Sequence, residues 1–424
     1  MQASLRLLGR RRFLPLFATQ FLGAFNDNLF RNAMIILVIF RIYQDETKEA
    51  AFSAIAGALF ILPFFLFSAL AGQLADTTDK ARIVRVVKNA EIAIMVFGAV
   101  GLLLGNIPLL LAALFAMGVH SAFFGPIKYA ILPQHLRPDE VLGGTGLVEA
   151  GTYGAILAGT IVGGIIPAEW AATGVLVTAI IGRVTGGMVP PAPPEADAPS
   201  PTKFDWHIVR ASIRLVSATM HIPRLFLAIV AISFFWSQGA VLAAQFPPLV
   251  KNVLGADQSV ATAFLSIFSV GVAIGSVAIN RLLKGEVSAR WAPASAIAMG
   301  LFVTDLYFNA RGWQVPPGPP SGLMEWIALP GAERVMIDLL GVAVAGGMFV
   351  VPLYAFLTTT VPKAETARTV AANNIVNSGA MVFSTLLIAA MVHFGVSVAE
   401  TLLLVAVGSL GAAAIAWRLH KACD

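Results

Sequence analysis

Asp27 and Arg31 stand one helical turn apart in ATQFLGAFNDNLFRNAMIILVIF, inside an apolar run that reaches from Phe13 to Phe40. A charge at mid-bilayer costs about 2.5–3.5 kcal/mol even on permissive insertion scales, so a chain keeps one there only where it faces protein or water. At 100° per residue Gln20, Asp27 and Arg31 fall within about 40° of arc, with Asn28 and Asn32 as a neighbouring stripe. A guanidinium in that position can hold a phosphate oxygen by charge-assisted bonds, and a carboxylate can receive an ammonium group or a proton. The same i,i+4 spacing also permits a self-neutralising pair that packs two helices. Both readings are open at this point.

Other polar residues fall inside apolar stretches. Glu149 lies roughly 10 Å inside the end of its helix by rise per residue, where it is either a carboxylate partner for Lys128 or Arg31 or a protonatable group. Asn373, Asn374 and Asn377 offer neutral hydrogen bonds from a late helix, and Trp236, Gln238 and Gln245 do so from the first helix of the second half. Glu91 and Asp305 read as interfacial or helix-packing groups. Trp236 and Tyr354 line a cavity or join an aromatic belt, and Tyr129 reads as belt. AGTIVGG at 158–164 reads as a small-residue stripe for close helix contact.

Several chemistries are excluded. No glycine precedes a lysine, so the core of a phosphate-binding Walker loop is missing. The six histidines are scattered without a second ligand at metal spacing and read as solvated loop or helix-end residues, and the single cysteine, Cys423, can form no intramolecular disulfide. The nearest His–Asp pair, His135 and Asp139, is split by Pro138 and reads as loop chemistry. No catalytic residue, cofactor or metal is expected.

The elements that must position these groups belong to a membrane. Hydrophobic residues make up 58% of the 424 and charged residues only 12%, with a mean hydropathy of +0.81. Apolar runs long enough to cross about 30 Å of hydrocarbon are drawn at 13–41, 52–75, 84–105, 107–127, 141–166, 170–189, 224–250, 259–283, 292–310, 335–359, 366–394 and 397–417. The expectation is an all-α membrane protein of twelve transmembrane helices in two six-helix bundles, 1–189 and 223–424. Residues 190–222 form the connection, and its opening PPAPPEADAPSPTKFDWH reads as an exposed linker because proline blocks helix continuation.

Placing the N-terminus in the cytoplasm leaves Arg41, Lys48, Lys251, Arg311 and Arg334 on the far side and Arg31 within a helix; all other Lys and Arg residues, Lys88 included, fall on the cytoplasmic side. Both termini are therefore expected to be cytoplasmic. The isoelectric point near 9.5 follows from this asymmetry and needs no nucleic acid. The basic start MQASLRLLGRRRF runs into a long apolar stretch without a small-residue cleavage site, so it reads as an uncleaved first span.

The chain also repeats. GGTGLVEAG at 143–151 and AANNIVNSG at 371–379 align, each opening the fifth helix of its half, a layout suited to two bundles that rock about a central site. GQLADTTDKAR at 72–82 resembles the cytoplasmic loop motif of the major facilitator superfamily. The resemblance gives Gly72 a close helix approach, Asp76 a capping or pairing role, and Lys80 and Arg82 the rest of the charge set, all gating elements. Asp79 replaces a usual glycine, and GSVAINRLLKG at 275–285 resembles a degraded second copy with Asn280 at the acid position.

FLPLFATQFLGAFNDNLFRNA (13–33), FGPIKYAILPQHL with GGTGLVEAGTYGAIL (124–157) and ISFFWSQGAVLAAQFPPLVKNVLG (232–255) are similar to the bacterial lysophospholipid transporter family. The resemblance implies a monomeric, multi-pass protein of the bacterial inner membrane that moves a single-tailed phospholipid from the outer to the inner leaflet, where a separate acyltransferase restores the second chain. Its partners are then lysophospholipid and membrane lipids, and the substrate contacts fall among Gln20, Asp27, Asn28, Arg31, Lys128, Glu149, Trp236, Gln238, Asn373 and Asn377. The rival within transport is proton-coupled export of a drug or small metabolite through Asp27 or Glu149. A lipid-acting membrane enzyme and a non-transporting scaffold fit less of the sequence.

Overall fold

The computed structural model describes residues 5–42, 46–194, 204–315 and 317–423. Among these the chain is helical throughout, with fourteen α-helices: α1 (Leu14–Leu37), α2 (Glu46–Thr77), α3 (Lys80–Leu104), α4 (Ile107–His135), α5 (Pro138–Ile165), α6 (Ala168–Gly187), α7 (Ile208–Met220), α8 (Pro223–Pro248), α9 (Gln258–Leu282), α10 (Ala292–Arg311), α11 (Leu323–Ile327), α12 (Ala332–Thr359), α13 (Thr366–His393) and α14 (Val398–Cys423). Ten are long and apolar enough to cross a membrane; α1 and α10 have the length but carry amides and charges along it. Short π-helical turns extend α1 and α8.

The helices gather into two compact units. The first holds Met1–His221 together with Leu357–Ser378, and the second holds Ile222–Phe356 with Gly379–Asp424. In the first unit α1 packs on α5 and α6, α2 on α4, and α3 on α4 and α6. Its core includes Leu29, Phe30, Met34, Met95, Leu114 and Met117. In the second, α14 packs on α10 and α8, around Phe246, Phe264, Trp326 and Leu339.

Glycines set the closest approaches. A β-carbon on Gly159 would lie 2.4 Å from the Phe25 carbonyl oxygen, and one on Gly163 2.6 Å from that of Leu29, so the α1–α5 contact requires both. The 158–164 stripe is thus a packing surface. In the second unit a β-carbon on Gly275 would lie 2.0 Å from the Val344 carbonyl oxygen.

The stretch read as an exposed linker is held against the first unit at both of its described ends. Asp79 caps α3 by accepting from the Ala81 N–H at 3.0 Å and from the Ala192 N–H at 2.9 Å, while the Lys80 N–H donates to the Ala192 carbonyl at 3.0 Å. Proline-rich sequence gave no sign of this, because the contacts are backbone bonds to one carboxylate. Further on, α7 packs Ala211 against Ala69 of α2 and Ile375 of α13. Residues 195–203 of the linker, with Lys203, lie outside the described residues.

Candidate functional site

The polar side of α1 splits among three neighbours. Gln20 meets α5, donating to the Val148 carbonyl at 3.3 Å and accepting from Thr152 at 2.9 Å. Asn32 donates to the Thr160 carbonyl at 2.5 Å, and Asn28 to the Ala24 carbonyl of its own helix at 2.8 Å. Asp27, buried, instead turns to α4, where Ser121 donates to its Oδ2 at 2.7 Å; its Oδ1 is buried without a hydrogen bond. Arg31 donates to Asn28 Oδ1 at 3.3 Å and lies over the Phe60 ring of α2 at 5.7 Å.

Asp27 and Arg31 therefore do not satisfy one another. Among the described residues no ion pair joins them, nor Asp27 to Lys128, although Coulombic attraction reaches Asp27 from both cations. Lys128 lies two turns along α4 from Ser121, on the same face, with its ammonium 4.9 Å from the Tyr129 ring centre. Tyr129 is 5% exposed and donates a short hydrogen bond to buried Glu149. It is a buried partner rather than a belt residue, and it, not Lys128 or Arg31, is what Glu149 bonds.

Beside Asp27 lies a network that the sequence reading missed. Lys88 of α3 is fully buried and pairs with Glu91 at 2.6 Å; Glu91 also accepts from Asn26 of α1 at 2.9 Å and faces His120 Nε2 of α4 at 3.4 Å. His120 Nδ1 is 3.5 Å from the Ser121 hydroxyl that holds Asp27. Space for the lysine comes from glycine: a β-carbon on Gly23 of α1 would meet Lys88 Nζ at 2.8 Å, and ones on Gly186 and Gly182 of α6 would meet its stem and ammonium at 3.3 and 3.7 Å.

This corrects two expectations: Lys88 is no interfacial cation and His120 is no solvated helix-end residue, while Glu91, of the two roles open to it, is a buried group between helices. The available signal was Lys88 and Glu91 at i,i+3 on one face of α3, obscured because Lys88 falls close to a helix start and counts toward the positive-inside tally. His120 also lines an apolar cleft of about 570 Å³ between α2, α3 and α4, together with Leu74, Val86, Ile94, Phe115 and Phe123.

The loop motif lies against α13. Asp76 pairs with Arg368 of α13, and a β-carbon on Gly72 would meet Ala371 Cβ at 3.0 Å and Arg368 Cα at 3.2 Å, so α2 and α13 are in close contact there. Lys80 is buried, whereas Arg82 is exposed at the rim of the apolar cleft and not in the Asp76 pair. Arg12 ties this end together, bonding Glu140 at 2.6 Å and the His135 carbonyl at 3.2 Å. His135 itself faces the Pro191 carbonyl, and Asp139 faces Arg137, so the two do not form a catalytic pair.

The remaining candidates distribute between the units. Asn373 and Asn377 are buried in the first. In the second, Trp236 donates to the Tyr354 hydroxyl at 2.8 Å, and the Gln238 amide is buried with neither its nitrogen nor its oxygen bonded. Asp305 pairs with Arg334 at a half-exposed position.

Its length of apolar helix, with ionisable groups buried among the helices, makes this a multi-pass membrane protein. The chain belongs to the Major Facilitator Superfamily, whose sequence model matches residues 16–385. It is similar to the lysophospholipid transporter LplT of Citrobacter koseri, 28% identical over 91% of this chain and 89% of that protein. It is also similar to LplT of Salmonella newport, 29% identical over 81% and 78%. In fold it is similar to the human organic anion transporter MFSD10, with a TM-score of 0.77 at 13% identity over 96% of this chain and 99% of that one. A bacterial homologue of the iron transporter ferroportin in its outward-facing state gives 0.69 at 14% over 97% and 100%.

Proposed function

We propose that this protein is a lysophospholipid transporter of the bacterial inner membrane. It takes a single-tailed phospholipid such as lysophosphatidylethanolamine from the outer leaflet to the cytoplasmic leaflet by alternating access, where a separate acyltransferase restores the second chain. The observation that carries the reading is the separation of Asp27 from Arg31: a carboxylate with one unbonded oxygen and a guanidinium one turn away, not paired with each other. A zwitterionic headgroup offers the complement to both, ammonium to Asp27 and phosphate to Arg31, with Lys128 as a further cation on the same face of α4. The names of the curated relatives point to the same substrate class.

In this reading twelve helices span the membrane with both termini in the cytoplasm, and the monomer suffices. The Asp76–Arg368 pair and the Gly72 contact close one end of the path. The network from Lys88 through Glu91 and His120 to Ser121 fixes the carboxylate, and a tail keeps to apolar helix faces while the headgroup crosses.

The test is uptake of labelled lysophosphatidylethanolamine by proteoliposomes. Asp27→Asn keeps the Ser121 hydrogen bond and is expected to abolish uptake while leaving detergent stability near wild type; Arg31→Ala is expected to do the same. No uptake by the intact protein overturns the proposal. Uptake unaffected by an uncoupler argues against a proton role for Glu149.

A further inference from the structure

α7 is amphipathic, with one face on the protein and another that is exposed among the described residues. Ala211, Ser212 and Thr219 are buried, whereas Trp206, Val209 and Ile213 are 78%, 60% and 66% exposed. Val209 and Ile213 are one turn apart on the same side of the helix, and Trp206 lies in the extended segment just before it, with the Phe204 ring 4.4 Å from its own. Arg210 and Arg214 border this apolar strip on one side and are exposed. A helix with an apolar face bordered by cations and too short to cross a bilayer has the build of one that lies in the interface.

Its anchorage sets the depth. Ala211 packs on Ala69 and Ile375; these lie eight residues before the end of α2 and nine after the start of α13, about 12 and 14 Å in from those ends at 1.5 Å per residue. Gln73, one turn nearer the end of α2, accepts from the Asp205 N–H at 2.9 Å and donates to its carbonyl at 3.4 Å. Because α2 and α13 are themselves spans, a helix strapped to their flanks at that level meets the boundary between headgroups and acyl chains, not bulk water.

We propose that α7 is an in-plane membrane-surface helix. Phe204, Trp206, Val209 and Ile213 enter the acyl boundary, Arg210 and Arg214 contact anionic headgroups, and the opposite face clamps the seam between α2 and α13 beside the Asp76–Arg368 pair. The occupant of the exposed face is the bilayer itself, selected by apolar area plus positive charge. This stands independently of what the protein transports.

The experiment is spin-label depth measurement on the full chain in nanodiscs of mixed zwitterionic and anionic lipid. Cys423→Ser provides the background, with single labels at Val209→Cys, Ile213→Cys and, as an aqueous reference, Lys284→Cys. Labels at 209 and 213 are expected about 5–10 Å below the headgroup level, favouring oxygen over an aqueous nickel chelate, while the label at 284 shows the reverse. Arg210→Gln with Arg214→Gln is expected to make the labels shallower in anionic discs and to leave them unchanged in neutral ones. Labels at 209 and 213 as open to the chelate as the reference overturn the proposal. So does dipolar broadening between copies, which would assign the face to a second chain. Circular dichroism and uptake of each variant separate a misfolded protein from a misplaced helix.

Discussion

The two units solve the same problem, polar groups inside a membrane protein, with different chemistry. In the first, buried ionisable side chains are held by polar partners: Lys88 on Glu91, Glu91 beside His120, Ser121 on Asp27, Tyr129 on Glu149. In the second, Trp236 bonds Tyr354 and the Gln238 amide is buried unbonded, while Asp305 pairs with Arg334 where water reaches them and Asp338 of α12 is buried with its Oδ2 lacking a hydrogen bond. The first unit thus buries a lysine together with its counterion, whereas the second keeps its arginine–aspartate pair half-exposed.

The sharpest way to break that contrast is to remove one member of a charge pair from each unit. Glu91→Ala leaves the Lys88 ammonium buried and alone, and removal of one partner from a buried pair costs about 3–5 kcal/mol. A large fall in the detergent melting midpoint is expected. Asp305→Ala removes an exposed pair and is expected to cost less than about 1 kcal/mol. Equal losses would mean that the Lys88 site takes up water and that the two units differ in appearance only.

Much of this was legible in the sequence, for identifiable reasons. Apolar length and the missing ligand sets point to a helical membrane protein, and the spacing of Asp27 and Arg31 places two charges at depth on one helix. What the pair does was not legible, because i,i+4 spacing permits a bond that Ser121 and Asn28 divert, and both diverting groups depend on where α4 and the α1 rotamers fall. Lys88 was hidden by the same cause: its burial depends on Gly23, Gly182 and Gly186 leaving room from two other helices. The tethering of Ala192 by Asp79 was unreadable because an acid at a glycine position looks like a lost motif, whereas it caps α3 and holds a remote segment.

Close backbone approach is the feature the units share, so a glycine substitution probes whether both depend on it. Gly275→Ala would drive a β-carbon against the Val344 carbonyl, which has no flexible end to yield. A loss of about 1–3 kcal/mol is expected, seen as a lower melting midpoint. Gly23→Ala meets only the mobile tip of Lys88 and is expected to cost less. If the order reverses, the lysine site is the more rigid of the two.

A smaller effect of opposite sign is expected at Gln238. An unbonded buried amide is unfavourable, and replacing it with an apolar group of similar size is near neutral or stabilising. Gln238→Leu is therefore expected to hold or raise the melting midpoint by up to about 1 kcal/mol in equivalent stability, while raising KM for the lipid if the amide binds substrate. Loss of stability would mean that the amide is structural glue, and the second unit would then resemble the first.

The smallest effect concerns pH at the surface of the first unit. Asp205 is drawn down to about 2 from its ordinary 3.8, chiefly by hydrogen bonds from Arg210 and then by the His207 N–H. A carboxyl depressed in the folded state contributes stability that is complete above its unfolded value and is lost as pH falls through the folded one. The tether at the start of α7 is accordingly expected to hold without change from pH 7 to pH about 4 and to loosen only toward about 2, read as mobility of a spin label at position 213. Because its partner Arg210 is open to solvent, the change is small and screened by salt. Mobility that rises already between pH 7 and 5 would overturn the assignment of the tether to Asp205.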